Sequence, residues 1–202
     1  MKKYNIFIFR RDLRTVDNTT LNYLLDNKKN IIPIFVFTPE QVKKNPFIST
    51  NAIQFMIESL KEVNTILKKN KSKLHIFQGE NLKIVKKICD EINVESIAYN
   101  KDYTPYAIKR DKEIEDYCLE NNIECISHED YLLSKIGDLN KADGKPYTVF
   151  TPFRNNGFKY TVLKPKSSSN LLNLTKFNFD FEKDYIENPI NLNILVHGGR
   201  KN

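Results

Sequence analysis

The stretch YNIFIFRRDLRTVDNTTLNYLL, residues 4–25, decides how the rest of the chain is read. Tyr4 to Phe9 is a short apolar run, long enough for a buried strand and too short for a helix of equal burial. It stops abruptly at Arg10, Arg11, Asp12, Leu13 and Arg14. The pattern predicts a helix starting near Asp17, an N-cap residue type, with Leu21, Leu24 and Leu25 on one face. Three arginines thus stand where a strand hands over to a helix. In an open α/β sheet the carboxyl ends of strands are where ligands sit. Guanidinium groups placed there offer fork-shaped cationic donors to a ligand. The competing reading is a solvated basic loop in which Asp12 and Asp17 pair some of the arginines.

Outward from this stretch, strand and helix signals alternate. Ile31 to Phe37 (IIPIFVF) is continuously apolar, as expected of a strand covered on both faces of a parallel sheet. Residues 40–48 read as a polar loop. Ser49, Thr50 and Asn51 start a helix carrying Ile53, Met56, Ile57, Leu60, Val63 and Leu67 at helical spacing. Lys73 to Phe77 is a third strand, in which His75 reads as a packed or edge residue. Gly79 turns the chain into a helix marked by Leu82, Val85, Ile88 and Ile92. Ser96 to Asn100 is a fourth strand, ending in the polar cluster Asn100, Lys101, Asp102 and Tyr103. Thr104 and Pro105 cap the next helix, on which Arg110 and Asp111 read as capping or surface-pairing residues. Ile123 to Ile126 is a short fifth strand. The expected fold is α/β: a five-stranded parallel, doubly wound, Rossmann-like sheet over residues 1–130, in the order 3-2-1-4-5. The order then reverses between strands one and four, so Arg10–Arg14 and Asn100–Tyr103 become the walls of one crevice. No GxGxxG follows the first strand and no GxxxxGK[ST] occurs, so neither standard phosphate-cradling motif is present.

Beyond residue 130 the pattern changes. Residues 131–160 form an exit segment with a tight turn at Asp143-Gly144 and the run TVFTPFRNN. Residues 161–202, with Ser167–Ser169 and many Asn, show no clear period and read as a long irregular extension, a linker or a loop wrapped on a surface. The chain has 202 residues, 40% hydrophobic and 28% charged, with a formal net charge of +7. That charge is compatible with nucleic acid bound through Arg10, Arg11 and Arg14, but most lysines are interleaved with acids along helices. Cys89, Cys118 and Cys125 lack CxxC spacing and an adjacent His, so they read as packing residues and no metal site is expected. With no leader-like segment and no run of membrane-spanning length, the expectation is a soluble protein of a reducing, intracellular compartment.

Several motifs in register resemble the DNA photolyase/cryptochrome family. IFRRDLRTVDNTTL (residues 8–21) resembles its opening strand and loop, with Ile8 where a Trp is usual. IIPIFVFTP (31–39) resembles its second strand, and YNKDYTPYAIKRD (99–111) its fourth strand and following helix. DGKPYTVFTPFRNN (143–156) resembles the way out of its α/β domain, and HGGR (197–200) the first turn before its helical domain. The resemblance implies an N-terminal antenna domain that holds a light-harvesting chromophore in the setting of light-driven DNA repair. The helical domain that binds FAD and DNA has no counterpart in these residues, so neither FAD binding nor deoxyribodipyrimidine photo-lyase activity is expected of the chain alone. A separate polypeptide carrying that domain is the implied partner, and DNA is reached only through it. The family's antenna pocket coincides with the crevice inferred above. By resemblance, Arg11 and Asp102 match pocket-lining positions, Phe37 and Asn100 lie close by, and Phe37 or Tyr103 can offer an aromatic face. For Arg11 and Asp102 a loop-bracing salt bridge is the alternative. Folate-binding members use an Asn-Glu pair where this chain has Tyr106 and Ala107, which favours a deazaflavin or flavin. A stand-alone flavin- or nucleotide-binding module, or a truncated product without function, are the other readings of the same residues.

Overall fold

The computed structural model describes residues 2–42, 46–166 and 171–200. Five strands, β1 (Tyr4–Phe9), β2 (Ile31–Phe37), β3 (His75–Gln78), β4 (Val94–Asn100) and β5 (Glu124–His128), pair in parallel in the order β3-β2-β1-β4-β5. The expected topology is therefore the observed one. Helices α1 (Thr19–Asn27), α2 (Pro39–Val42), α3 (Thr50–Lys69), α4 (Asn81–Glu91), α5 (Pro105–Glu120) and α6 (Phe150–Gly157) connect or follow the strands.

Alternation along each strand builds two cores. Phe7 and Phe9 of β1, with Ile31, Phe35 and Phe37 of β2, pack against Leu21, Leu24 and Leu25 of α1 and Leu60, Val63 and Leu67 of α3. Ile6, Ile8, Ile32, Ile34 and Val36 face the other way, towards Ile84, Val85 and Ile88 of α4 and Ile114 and Cys118 of α5. All seven residues of β2 are buried, which accounts for its unbroken apolar run. Because α1 and α3 cover one face and α4 and α5 the other, the winding reverses between β1 and β4. That reversal opens a crevice at the carboxyl ends of β1, β2 and β4.

Three local expectations are corrected. Asn18, not Asp17, caps α1: its side chain accepts from the Leu21 N–H, while Asp17 takes a left-handed φ of 55° and accepts from the Lys166 N–H. Within the expected polar loop 40–48, Pro39–Val42 forms a helical turn closed by Gln41, whose side chain accepts from the Thr38 N–H; residues 43–45 lie outside the described residues. The tail also has a period that the sequence reading missed. Phe177, Phe179 and Phe181 alternate and stack with centroids 4.9 and 5.7 Å apart, and Phe77 of β3 meets both Phe179 and Phe181. The tail crosses the amino ends of β2 and β1 and then follows the open edge strand β3. The Thr175 N–H donates to Ile31 O and the Lys183 N–H to Ile76 O. The serines at 167–169 lie outside the described residues. His75 is fully buried on that edge, with Nδ1 3.1 Å from Glu182 Oε2. The three cysteines are free, and among the described residues no group of His, Cys, Asp and Glu is placed to hold a metal. No described helix is long and apolar enough to cross a membrane.

Candidate functional site

The loop after β1 owes its shape to a buried polar hub. Asp12 is buried and accepts from the Arg10 N–H at 2.7 Å, from Asn18 Nδ2 at 3.3 Å and from Asn100 Nδ2. Asn100 Nδ2 also donates to Asn18 Oδ1 at 2.8 Å, while Asn100 Oδ1 accepts from the Thr20 N–H at 3.0 Å. Burial pushes the Asp12 carboxyl above its ordinary pKa, against the pull of these hydrogen bonds. Asn100 thus spends its amide on joining β4 to the loop 10–18, and it does so from full burial.

Arg10 turns away from solvent towards α5. Its Nη1 and Nη2 lie 2.8 Å from Asp111 Oδ2 and Oδ1, and its guanidinium sits 3.9 Å above the Tyr99 ring. Arg110 Nε also reaches Asp111 Oδ1, at 2.8 Å. Desolvation and the neighbouring Arg110 lower the Arg10 pKa. Asp111 is therefore a buried bridge between β1 and α5, not the surface pair expected from its place near the helix start.

The crevice itself has a volume of about 620 Å³. Phe9, Phe35 and Val36 form its floor at the strand ends, and Phe55 and Met56 of α3 close one side. Arg10, Arg11 and Asp102 bring charge to it, with Thr38 and Gln41 from the β2 side and Thr104, Tyr106, Ala107 and Arg110 from α5. Of the residues singled out by sequence, Arg11 and Asp102 meet here. Their ion pair is loose, 3.5 Å between Arg11 Nε and Asp102 Oδ2, with the Arg11 side chain 63% exposed and its guanidinium 4.8 Å above the Tyr131 ring. Asp102 Oδ1 accepts from the Tyr103 N–H at 2.7 Å. Phe37, Asn100 and Tyr103 stand behind the wall and not on it: Phe37 packs on Phe35, Asn100 is the hub, and the Tyr103 hydroxyl is buried. The aromatic surface comes instead from Phe9, Phe35, Phe55 and Tyr106. The first two were legible as strand residues; Thr38, Phe55 and Arg110 carried no sequence signal separating them from ordinary cap, helix-stripe and surface residues. Arg14 takes no part, since it pairs with Asp130 at 2.7 Å.

A second, larger hollow of about 800 Å³ lies in residues 131–162, between Leu132, Leu133 and Ile136 on one side and Phe150, Phe153 and Phe158 on the other. It is apolar and carries little chemistry beyond Arg154 and Lys135.

Comparison with known proteins agrees with this geometry. The DNA photolyase family profile matches residues 5–168. A (6-4)DNA photolyase from Arabidopsis thaliana is 29% identical over 154 residues, which is 72% of this chain and 28% of that protein. Cryptochrome-1 of Aedes aegypti is 27% identical over 128 residues, 60% of this chain and 23% of that protein. The chain thus spans about a quarter of the length of these curated relatives. Among solved structures, an archaeal photolyase from Sulfolobus tokodaii, described with two FAD molecules and the implication of a novel light-harvesting cofactor, superposes with a TM-score of 0.82 at 36% identity. That match covers 99% of this chain and 44% of the archaeal one. A Synechocystis cryptochrome shares the fold, with a TM-score of 0.83 at 20% identity over 98% of this chain and 44% of its own. With the family profile over most of its length and the sheet order, crevice and motifs in agreement, the chain belongs to the DNA photolyase family, as a photolyase/cryptochrome N-terminal α/β domain.

Proposed function

We propose that this domain is an antenna module, holding a flavin or deazaflavin chromophore in the crevice at the carboxyl ends of β1, β2 and β4. The observation that carries the reading is the make-up of that crevice: an aromatic and aliphatic floor with Arg10, Arg11, Asp102 and Arg110 among the residues that line it. A planar ring system suits Phe9, Phe35 and Phe55, and Arg11 and Asp102 at the mouth can pair with its polar edge. Tyr106 and Ala107 line the crevice where folate-binding relatives would present an amide and a carboxylate, which favours flavin chemistry. The flavin-bearing archaeal relative, at 36% identity, supports the same choice. Bound there, such a chromophore supplies near-ultraviolet and blue absorption; the protein supplies orientation and shelter from water.

Excitation energy needs an acceptor, and a polypeptide carrying a helical FAD- and DNA-binding domain is the proposed partner. The exposed Leu133, Phe150 and Phe158 around the 131–162 hollow support an apolar partner surface. Reconstitution tests the reading directly. The purified chain incubated with FAD, FMN or a deazaflavin should retain one of them through gel filtration, with a near-ultraviolet or blue absorption band. A chain that stays colourless after incubation with all three would sink the proposal. Co-expression with a photolyase helical domain tests the partner: complex formation with light-dependent repair is expected, and failure of both removes that part.

A further inference from the structure

We infer that the turn His197–Arg200 is a clasp on the outer face of α3, and that it braces the α3 wall of the crevice from behind. The segment reaches this turn by following α3 one helical turn at a time. Asn188 Nδ2 donates to Thr50 O at 3.1 Å, and Asn191 Nδ2 donates to Asn51 Oδ1 at 3.1 Å. The Asn191 N–H donates to Gln54 Oε1 at 2.8 Å, and Gln54 Nε2 donates onward to Glu58 Oε1 at 2.9 Å. Three consecutive backbone N–H groups then meet three acceptors of the helix. Gly198 donates to Glu58 Oε2 at 2.7 Å, Gly199 to Ser59 Oγ at 3.0 Å and Arg200 to Glu62 Oε2 at 2.5 Å. His197 Nδ1 stands 3.2 Å from both Glu58 oxygens. Glu58 and Glu62 are like charges four residues apart, which repel on a bare helix. Lys61, beside them in sequence, sits over the Tyr185 ring, 5.8 Å from its centre. The N–H groups of the turn offset the repulsion, since carboxylates accept strongly from backbone donors.

Glycine is what lets the chain come this close. A Cβ at 198 would lie 2.0 Å from Phe55 O and 2.8 Å from Ser59 N, both helix backbone atoms that cannot swing aside. Gly199 takes a φ of +103°, which side-chain-bearing residues rarely adopt. The clasp and the crevice share one turn of α3. Phe55 and Met56 line the crevice, while the Phe55 carbonyl is the atom that Gly198 abuts. That carbonyl accepts from Ser59 Oγ at 2.9 Å, and the same hydroxyl accepts from the Gly199 N–H. Ile57 and Leu60 pack into the core from the inner side of the same stretch. The turn 55–59 is thus held between core and tail, and release of the tail frees the backbone of a residue that walls the crevice.

The sequence provides its own reporter. Its two methionines are Met1 and Met56, so methyl labelling of methionine gives one signal from the crevice wall and one from the terminus. Nuclear magnetic resonance of the full chain then reads that signal together with the amide protection of Gly199 and Arg200. Gly198→Ala should lower both protection factors by about tenfold or more, the worth of one hydrogen bond to a charged acceptor. It should also move the Met56 methyl signal and leave protection in β1 and β4 unchanged. Circular dichroism establishes that the variant folds. Ser59→Ala serves if it does not, because it removes the Gly199 acceptor while keeping a strong helix former. Gly157→Ala in α6 is the control: its added Cβ meets Leu139 Cδ1 at an ordinary 3.7 Å, and none of these readouts should change. Protection retained at Gly199 and Arg200 in a folded Gly198→Ala chain would overturn the clasp. Lost protection with an unmoved Met56 signal would overturn the brace. Neither outcome depends on what fills the crevice, which reconstitution tests separately.

Discussion

At the switch point, the loop 10–18 is joined to β4 by side chains that are all buried: Asp12, Asn18, Thr20 and Asn100 close one continuous hydrogen-bond network. At the sheet edge, residues 174–186 are held by spaced backbone bonds and a row of phenylalanines. Residues 131–200 contribute only Leu174 and Phe179 to the buried apolar core among the described residues. The contrast teaches where precision resides. A network in which each member satisfies several others has few alternative arrangements, so it can fix the wall of a binding crevice. A row of aromatic contacts covers an open strand edge but specifies position less tightly.

The largest effect should come from breaking the hub. Asn100→Ala removes donors from the buried Asp12 and the acceptor of the Thr20 N–H, and should cost about 3 kcal/mol. Denaturant unfolding would show it as a lower midpoint, with crevice binding lost alongside; an unchanged midpoint would mean that the hub is not a unit. The edge should be weaker. Phe179→Ala empties the centre of the aromatic row at a cost of about 2 kcal/mol, the transfer term of one buried side chain, with amide exchange at Lys183 accelerated and exchange in β1 unchanged.

Acid sharpens the comparison further. His75 is fully buried beside Glu182, and burial lowers its pKa below the ordinary 6.5. The unfolded chain therefore takes up a proton first, and the stability that neutral His75 provides is present above about pH 6.5 and lost as pH falls below it. Glu182 is held below its ordinary 4.5 by His75 and Lys73, against its own desolvation, and its contribution fades in turn as pH falls through that value. The protection factors of the Thr175 and Lys183 amides, corrected for the slower intrinsic exchange in acid, should fall as the pH is lowered from about 7 to about 5, before those of β1 and β4. Simultaneous loss would contradict an independent edge. The smallest effect is expected at Phe158, 80% exposed at the rim of the apolar hollow. Phe158→Ser should alter stability by less than about 0.5 kcal/mol while weakening any complex made through that surface. A large fall in thermal midpoint would show that the hollow belongs to the core.

The strands were readable because burial on both faces leaves unbroken apolar runs, as in IIPIFVF, and α3 because its stripe repeats at helical spacing. The loops 10–14 and 100–103 were readable as crevice walls because strand ends in a doubly wound sheet have known places, and the family resemblance picked out Arg11 and Asp102 within them. Asn100 was assigned to the right loop, but that its amide bonds Asp12, Asn18 and the Thr20 N–H was not legible. Sequence shows that a polar residue ends a strand, not whether its amide points at a ligand or into a hub. The tail's phenylalanines do alternate, but a short alternation between polar residues looks the same in a loop until an edge strand lies beneath it.

What the sequence by itself determined is the order and type of the elements, through local periodicity, and with them the fold and the mouth of the crevice. Only the tertiary structure decided which polar groups meet. Arg10 and Asp111 are 101 residues apart, and Asp12 and Asn100 are 88 apart. Such pairs depend on crossover and strand register, and a side chain's charge is the same whether it faces water or a buried partner. Burial changes the energy of leaving it unpaired, and burial is a property of the folded chain.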